Sequence, residues 1–156
     1  MLPQVFISHT TRSQHDLQFA HAIAHYLEEY GVEVWIAPES IPAGVEWEKE
    51  LVSGIMQDCT HFLVMLSPES IASEWVQQEI KLAQQRRNQD SSLVILPLML
   101  ADVSNYPHKD FISRFQNIRY VNDAEEQVRI IAEHLGLAAV PFFLLTYSRY
   151  AQSVSN

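Results

Sequence analysis

The chain has 156 residues, enough for one domain with its own core and too few for two of ordinary size. Apolar residues make up 47% of it, yet no run reaches the length of a bilayer span and the first residues lack a signal-peptide layout, so a soluble, cytoplasmic protein without membrane contact is expected. A formal net charge of −9 argues against direct binding of nucleic acid, and the single cysteine, Cys59, supports neither a disulfide framework nor a cysteine-ligated zinc site.

Residues 4–8 form a short β-rich run, and residues 16–30 follow with Ala20, Ile23, Ala24 and Leu27 at helical spacing, closed by Gly31. Residues 32–37 are again strand-like. Pro38, Pro42 and Gly44 mark a loop over 38–46, ahead of a helix over 47–58. The stretch 61–67 is continuously apolar in its middle, as a parallel strand buried on both faces should be, and a helix over 70–87 comes next. Its end carries Arg86 and Arg87, which answer the helix dipole. Residues 93–100 repeat the buried-strand signature, 117–121 give a last strand, and 124–135 a last helix stopped by Gly136.

This alternation predicts an α/β domain over residues 1–136, with a flavodoxin-like, doubly wound, five-stranded parallel sheet flanked by helices. Residues 137–156 belong to no βα unit; they form a C-terminal tail that docks on the domain or a linker to a further one. Ligands of such sheets bind beyond the carboxyl ends of the strands, where the strand order reverses. The loops 8–13 and 37–46, together with Ser67, are therefore the pocket candidates.

Within the helix over 70–87, Ala72, Trp75, Val76, Ile80 and Ala83 share one face, and Glu79 falls near its centre. Burying an ionised carboxylate costs several kcal/mol, on the order of a sizeable part of a domain's stability, unless it is paired or lines a pocket. Glu79 therefore has a partner, with Arg86 within reach, or it meets a ligand. The first strand-to-helix turn contains no glycine, which excludes a dinucleotide fingerprint and a phosphate loop, and there is no Gly-x-Ser-x-Gly elbow. His21 and His25 stand four apart but lack an obvious third ligand, so no metal is expected.

Five blocks carry a resemblance: Val5-Phe6-Ile7-Ser8-His9; Gly31-Val32-Glu33-Val34-Trp35-Ile36-Ala37; Ile41-Pro42-Ala43-Gly44 leading to Trp47; Leu66-Ser67-Pro68; and Glu74-Trp75-Val76-Gln77-Gln78-Glu79-Ile80. In order and spacing, over about residues 4–135, the chain resembles the Toll/interleukin receptor (TIR) domain family, in its microbial rather than animal form. In many members a glutamate four residues past a tryptophan cleaves the nicotinamide–ribose bond of NAD. The resemblance thus implies an NAD glycohydrolase, with ADP-ribose or a cyclic ADP-ribose isomer as product, in which Glu79 is catalytic and Trp75 stacks on the nicotinamide ring. NAD is then the substrate, and no cofactor is implied.

By the same resemblance Ser8, His9, Thr10, Trp47 and Ser67 line the substrate site. The loop Pro38, Glu39, Ser40, Ile41, Pro42, Ala43, Gly44 and Val45 docks on a neighbouring copy, making a homo-oligomer that acts as effector in a microbial defence or signalling system beside a sensor domain or partner. Ala37 stands where animal members often carry an acid, and the first loop has Arg12 alone in place of their paired arginines. Other readings of the same residues are a non-catalytic TIR scaffold and, more distantly, a receiver-like domain. Trp47 and Trp75 can equally be core aromatics, and Ser67 a cap for the helix after its strand.

Overall fold

The computed structural model describes residues 2–36 and 53–137. Four strands, β1 (Gln4–Ser8), β2 (Glu33–Ile36), β3 (His61–Leu66) and β4 (Val94–Met99), form one parallel sheet in the order β2-β1-β3-β4. The helices are α1 (Gln14–Glu29), α2 (Pro68–Ile71), α3 (Glu74–Gln89), α4 (Lys109–Ile112) and α5 (Ala124–His134), with a π-helical stretch at Ser53–Asp58. No helix among the described residues is long and apolar enough to cross a membrane.

β1 and β3 lie in the middle of the sheet and are buried on both faces, which is why Val5-Phe6-Ile7 and Phe62 to Leu66 are unbroken apolar runs. The edge strand β2 alternates exposed Glu33 and Trp35 with half-buried Val34 and Ile36. Val5 and Ile7 join Leu63 and Met65 against Phe19, Ile23 and Leu27 of α1 and Val128 and Ile131 of α5. On the opposite face Phe6, Phe62, Val64 and Leu66 meet Val76, Ile80 and Ala83 of α3 and Phe111 and Ile112 of α4. Gly31 and Gly136 end α1 and α5 with φ of +80° and +70°, a region that favours glycine.

Two expectations are corrected. The fifth strand expected at 117–121 is reduced to one parallel bridge between Leu98 and Ile118. The Val94 and Leu100 amides donate to Thr60 and Leu66 beside them, so with a period of two Pro97 faces the outer edge. Pro97 has no N–H to give there; its carbonyl accepts from Ile118 at 2.8 Å and the ladder goes no further. The buried side chain of Gln127 serves the other edge of the segment, accepting from the Val121 amide at 2.9 Å and donating to the Arg119 carbonyl at 3.0 Å. The helix expected over 70–87 is two helices, because Ser73 turns extended after α2 and caps α3, its hydroxyl accepting from the Val76 amide. The first six residues of the helix expected over 47–58, and residues 138–156 of the tail, lie outside the described residues.

The chain leaves β1 toward β2 on one side and β3 toward β4 on the other, so the strand order reverses between β1 and β3. Their carboxyl ends, Ser8 and Leu66, frame the crevice that such sheets use for ligands.

Candidate functional site

α3 points its buried face, with Val76, Glu79, Ile80 and Ala83, at the sheet. Glu79 is 0% exposed. Its Oε1 accepts from the Ser8 hydroxyl at the end of β1, at 3.2 Å, and among the described residues its Oε2 has no hydrogen-bond partner. Burial pushes the carboxyl pKa well above the ordinary value, and the Ser8 hydrogen bond opposes this only in part. Arg86 does not serve as its counter-ion. That guanidinium donates to the Cys59 carbonyl and, at 3.3 Å, to Cys59 Sγ, and lies 3.8 Å from Asp90.

Consecutive residues of a strand point to opposite faces, and the end of β1 keeps this rule. Ser8 follows Phe6 toward α3, whereas His9 follows Val5 and Ile7 toward α1. There His9 meets His21 edge to face, with ring centroids 5.9 Å apart. It is 2% exposed, and neither ring nitrogen has a hydrogen-bond partner among the described residues. Burial, helped by His21, lowers its pKa to about 4, against weaker opposition from the Ile7 backbone and the Asp16 charge. Ser8 and His9 are thus neighbours in sequence that address opposite sides of the sheet.

The remaining expected residues that the structure describes are held by local contacts or by packing. Thr10 is buried and spends its hydroxyl on the turn, accepting from the Arg12 amide at 3.1 Å. Arg12 reaches across to donate to the Ala72 carbonyl at 3.3 Å. Trp75, half-buried and one turn before Glu79, packs against the core on the α3 face. Ser67 is the cap of α2: its hydroxyl accepts from the Ser70 amide at 3.1 Å while the Ser70 hydroxyl answers the Ser67 amide at 2.8 Å. Trp47 and the assembly loop Pro38 to Val45 lie outside the described residues.

One residue of the site escaped sequence reasoning. Asp16, in the first turn of α1, is 3% exposed and accepts from the Ser67 hydroxyl through Oδ2. Its Oδ1 lies 3.4 Å from Nδ1 of His15, whose Nε2 is 3.1 Å from the Asn122 side-chain oxygen. The signal was present: Asp16 precedes Phe19 and Ala20 by three and four positions on the buried stripe of α1, the argument that singled out Glu79.

Among the described residues no group of three or more His, Cys, Asp or Glu is placed to hold a metal ion. A cavity of about 420 Å³ lined by Tyr30, Asn117, Arg129 and Glu133 lies near the amino ends of the strands, where α1 hands over to β2, and is separate from Glu79.

The family model that matches the chain is that of the TIR domain, over residues 5–132. No curated protein sequence matches it. Among solved structures, the TIR domains of the activated Roq1 resistosome directly recognizing the pathogen effector XopQ match with a TM-score of 0.50 and 18% identity, over 62% of this chain and 57% of that one. The chain therefore spans little more than half of that relative's length. A flavodoxin-like domain from a Synechococcus species matches with a TM-score of 0.55 and 15% identity, over 97% of this chain and 98% of that one. At such identities the likeness shows the fold, a doubly wound parallel sheet.

Proposed function

Because the chain belongs to the TIR domain family, whose model it matches over residues 5–132, we propose that it cleaves the nicotinamide–ribose bond of NAD with Glu79 as the catalytic carboxylate. The observation that carries this reading is the second oxygen of Glu79: fully buried beside the reversal point of the sheet, and without a hydrogen-bond partner among the described residues. Ser8 fixes Oε1 and leaves Oε2 to a ligand.

The reaction asks little else of the protein. The bond between ribose C1′ and the pyridinium nitrogen breaks with its electron pair going to nitrogen, so nicotinamide departs neutral and no general acid is required. The positive charge passes to the ribosyl C1′–O4′ unit, where a nearby carboxylate stabilises it. Water then bonds to C1′ and gives up a proton, yielding ADP-ribose; a ring nitrogen of adenine attacking the same carbon instead, with no water added, yields a form of cyclic ADP-ribose.

Without ligand, burial holds the Glu79 pKa well above its ordinary value, because ionising it there is costly. NAD brings ribose hydroxyl donors and a cationic ring, the two things Oε2 lacks, and both favour ionisation. Binding thus favours the charge that the transition state uses. Trp75, one helical turn earlier, is proposed to stack on the pyridinium ring. Self-association through residues 38–45 is the proposed trigger, in keeping with a relative solved within an activated resistosome, and the domain acts as the effector of a microbial defence or signalling system.

Concentrated protein incubated with NAD, with nicotinamide followed by chromatography, tests the proposal against Glu79→Gln. The wild type should release nicotinamide, and the variant about 100-fold less or worse, the usual loss when a transition-state charge stabiliser is removed. Equal release by both would remove Glu79 from the chemistry. Silence of the wild type at every concentration would leave an assembly module.

A further inference from the structure

We propose that Asp16 is a positioning residue for the Glu79 site: by accepting from Ser67 it latches the start of α1 to the β3–α2 turn and so sets the entry of α3. The inference rests on the NAD-cleaving reading for its effect on rate, while the latch itself stands on geometry alone. α1 is the connection from β1 to β2 and α2 follows β3, so the two segments diverge from the reversal point, and a crevice opens between them unless something ties them. Asp16 and Ser67, each 3% exposed, make that tie, 51 residues apart in sequence. A second tie lies alongside, from the Arg12 guanidinium to the Ala72 carbonyl at 3.3 Å.

What lies beyond the latch is short and stiff. Ser67 caps α2, a helix of four residues. Its end passes through Ala72 to Ser73, the cap of α3, and Gln77 of α3 reaches back to the Ile71 carbonyl at 2.8 Å. Trp75 and Glu79 sit in the first turns of α3, so an error in the β3–α2 turn is carried directly to them. A mechanical link of this kind acts on rate, because a shift of about 1 Å in a reacting group can cost roughly 100-fold. His15 and Asn122 hold Asp16 from the solvent side.

Asp16→Ala, Asp16→Asn, Ser67→Ala and the double alanine variant decide the matter, with nicotinamide release and amide hydrogen exchange measured on each. Asp16→Ala should lower kcat by about 10- to 100-fold with little change in KM. Asp16→Asn, which keeps an acceptor oxygen for Ser67, should stay within about threefold of wild type by the same argument. Exchange at Ser70, Ser73 and Val76 should quicken in the alanine variants, and the double variant should match Ser67→Ala alone, since the two residues serve one bond. Unchanged exchange in Asp16→Ala, additive single effects, or an Asp16→Asn variant as impaired as Asp16→Ala would overturn the latch. Should the wild type release no nicotinamide, the Glu79 reading fails and the exchange data alone decide the latch.

Discussion

Replacing Glu79 by Gln keeps the shape of a fully buried side chain and removes its titration, so the two proteins should differ in how their stability responds to pH. In the unfolded chain the carboxyl ionises near its ordinary value of 4.5; in the folded protein burial holds it protonated well above that. Below pH 4.5 both states carry the proton and the group contributes nothing to the pH slope. Above it, the unfolded state has lost a proton that the folded state keeps. Each further unit of pH then favours unfolding by about 1.4 kcal/mol, until the pH passes the raised folded-state value and the slope vanishes. In a domain of this size about 1 kcal/mol corresponds to roughly 2–4 °C in Tm, so the gap in Tm between variant and wild type should widen by about 3–5 °C per pH unit within that window.

Thermal melts of both proteins from pH 4 to 8, at fixed ionic strength, measure this difference while groups common to both cancel. The slope is the quantity to read, because the new amide nitrogen of Gln adds a constant offset where Oε2 lacked a partner. Parallel curves throughout would refute the reasoning: Glu79 would then be ionised in the folded protein, hydrated or paired. The same logic extends to the ligand. If NAD ionises Glu79, its binding to the wild type releases close to one proton per site below the raised pKa, and its binding to Glu79→Gln releases none; calorimetry in buffers of different ionisation enthalpy separates the two.

His9 should act in the opposite direction. With its pKa lowered from 6.5 to about 4, the unfolded chain takes up a proton between those values that the folded one refuses, so acidification costs on the order of 3 kcal/mol, a loss that His9→Phe should abolish in the same melts. An acid limb that persists unchanged in His9→Phe would show that the ring protonates in place. Gln127→Leu should cost about 1–3 kcal/mol in urea unfolding, because it strands the Val121 amide and the Arg119 carbonyl that stand in for a fifth strand; a loss below about 0.5 kcal/mol would mean that water replaces the side chain freely. Gly54→Ala should cost about 1–3 kcal/mol and disturb the near-ultraviolet signal of Trp35, since its new methyl would lie 3.0 Å from Trp35 ring atoms and 3.1 Å from Phe6. An unshifted unfolding midpoint would show that the Trp35 ring moves aside without strain.

The parts of the fold that follow from periodicity were legible. β1 and β3 declare themselves as buried by unbroken apolar runs, and α1 and α5 by stripes ending at Gly31 and Gly136. What escaped was set by single groups. The missing amide of Pro97 decides how far residues 117–121 can pair, although those residues look like a strand by themselves. Ser73 interrupts what reads as one helix because its hydroxyl offers the backbone a cap in place of another turn. At the site, the structure puts Ser8 and His9 on opposite faces, as a period of two requires, whereas the resemblance implies one wall for both. The partners of Asp16 and Glu79, 51 and 71 residues away, depend on which strand ends meet, and no local pattern contains that.

Those two carboxyls separate what architecture explains from what it does not. Each lies on the buried face of a helix, and each takes a hydroxyl from the end of a central strand or the residue just past it: Glu79 from Ser8 and Asp16 from Ser67. Asp16 has its second oxygen against His15, and the reason for burying it is the tie it makes. Glu79 has no such answer for Oε2 among the described residues. A fold that needed only the Ser8 contact could obtain it from a neutral side chain without the cost of desolvating an acid. On the NAD-cleaving proposal the cost of placing Glu79 is offset by the ligand, a molecule carrying hydroxyl donors beside a positive charge.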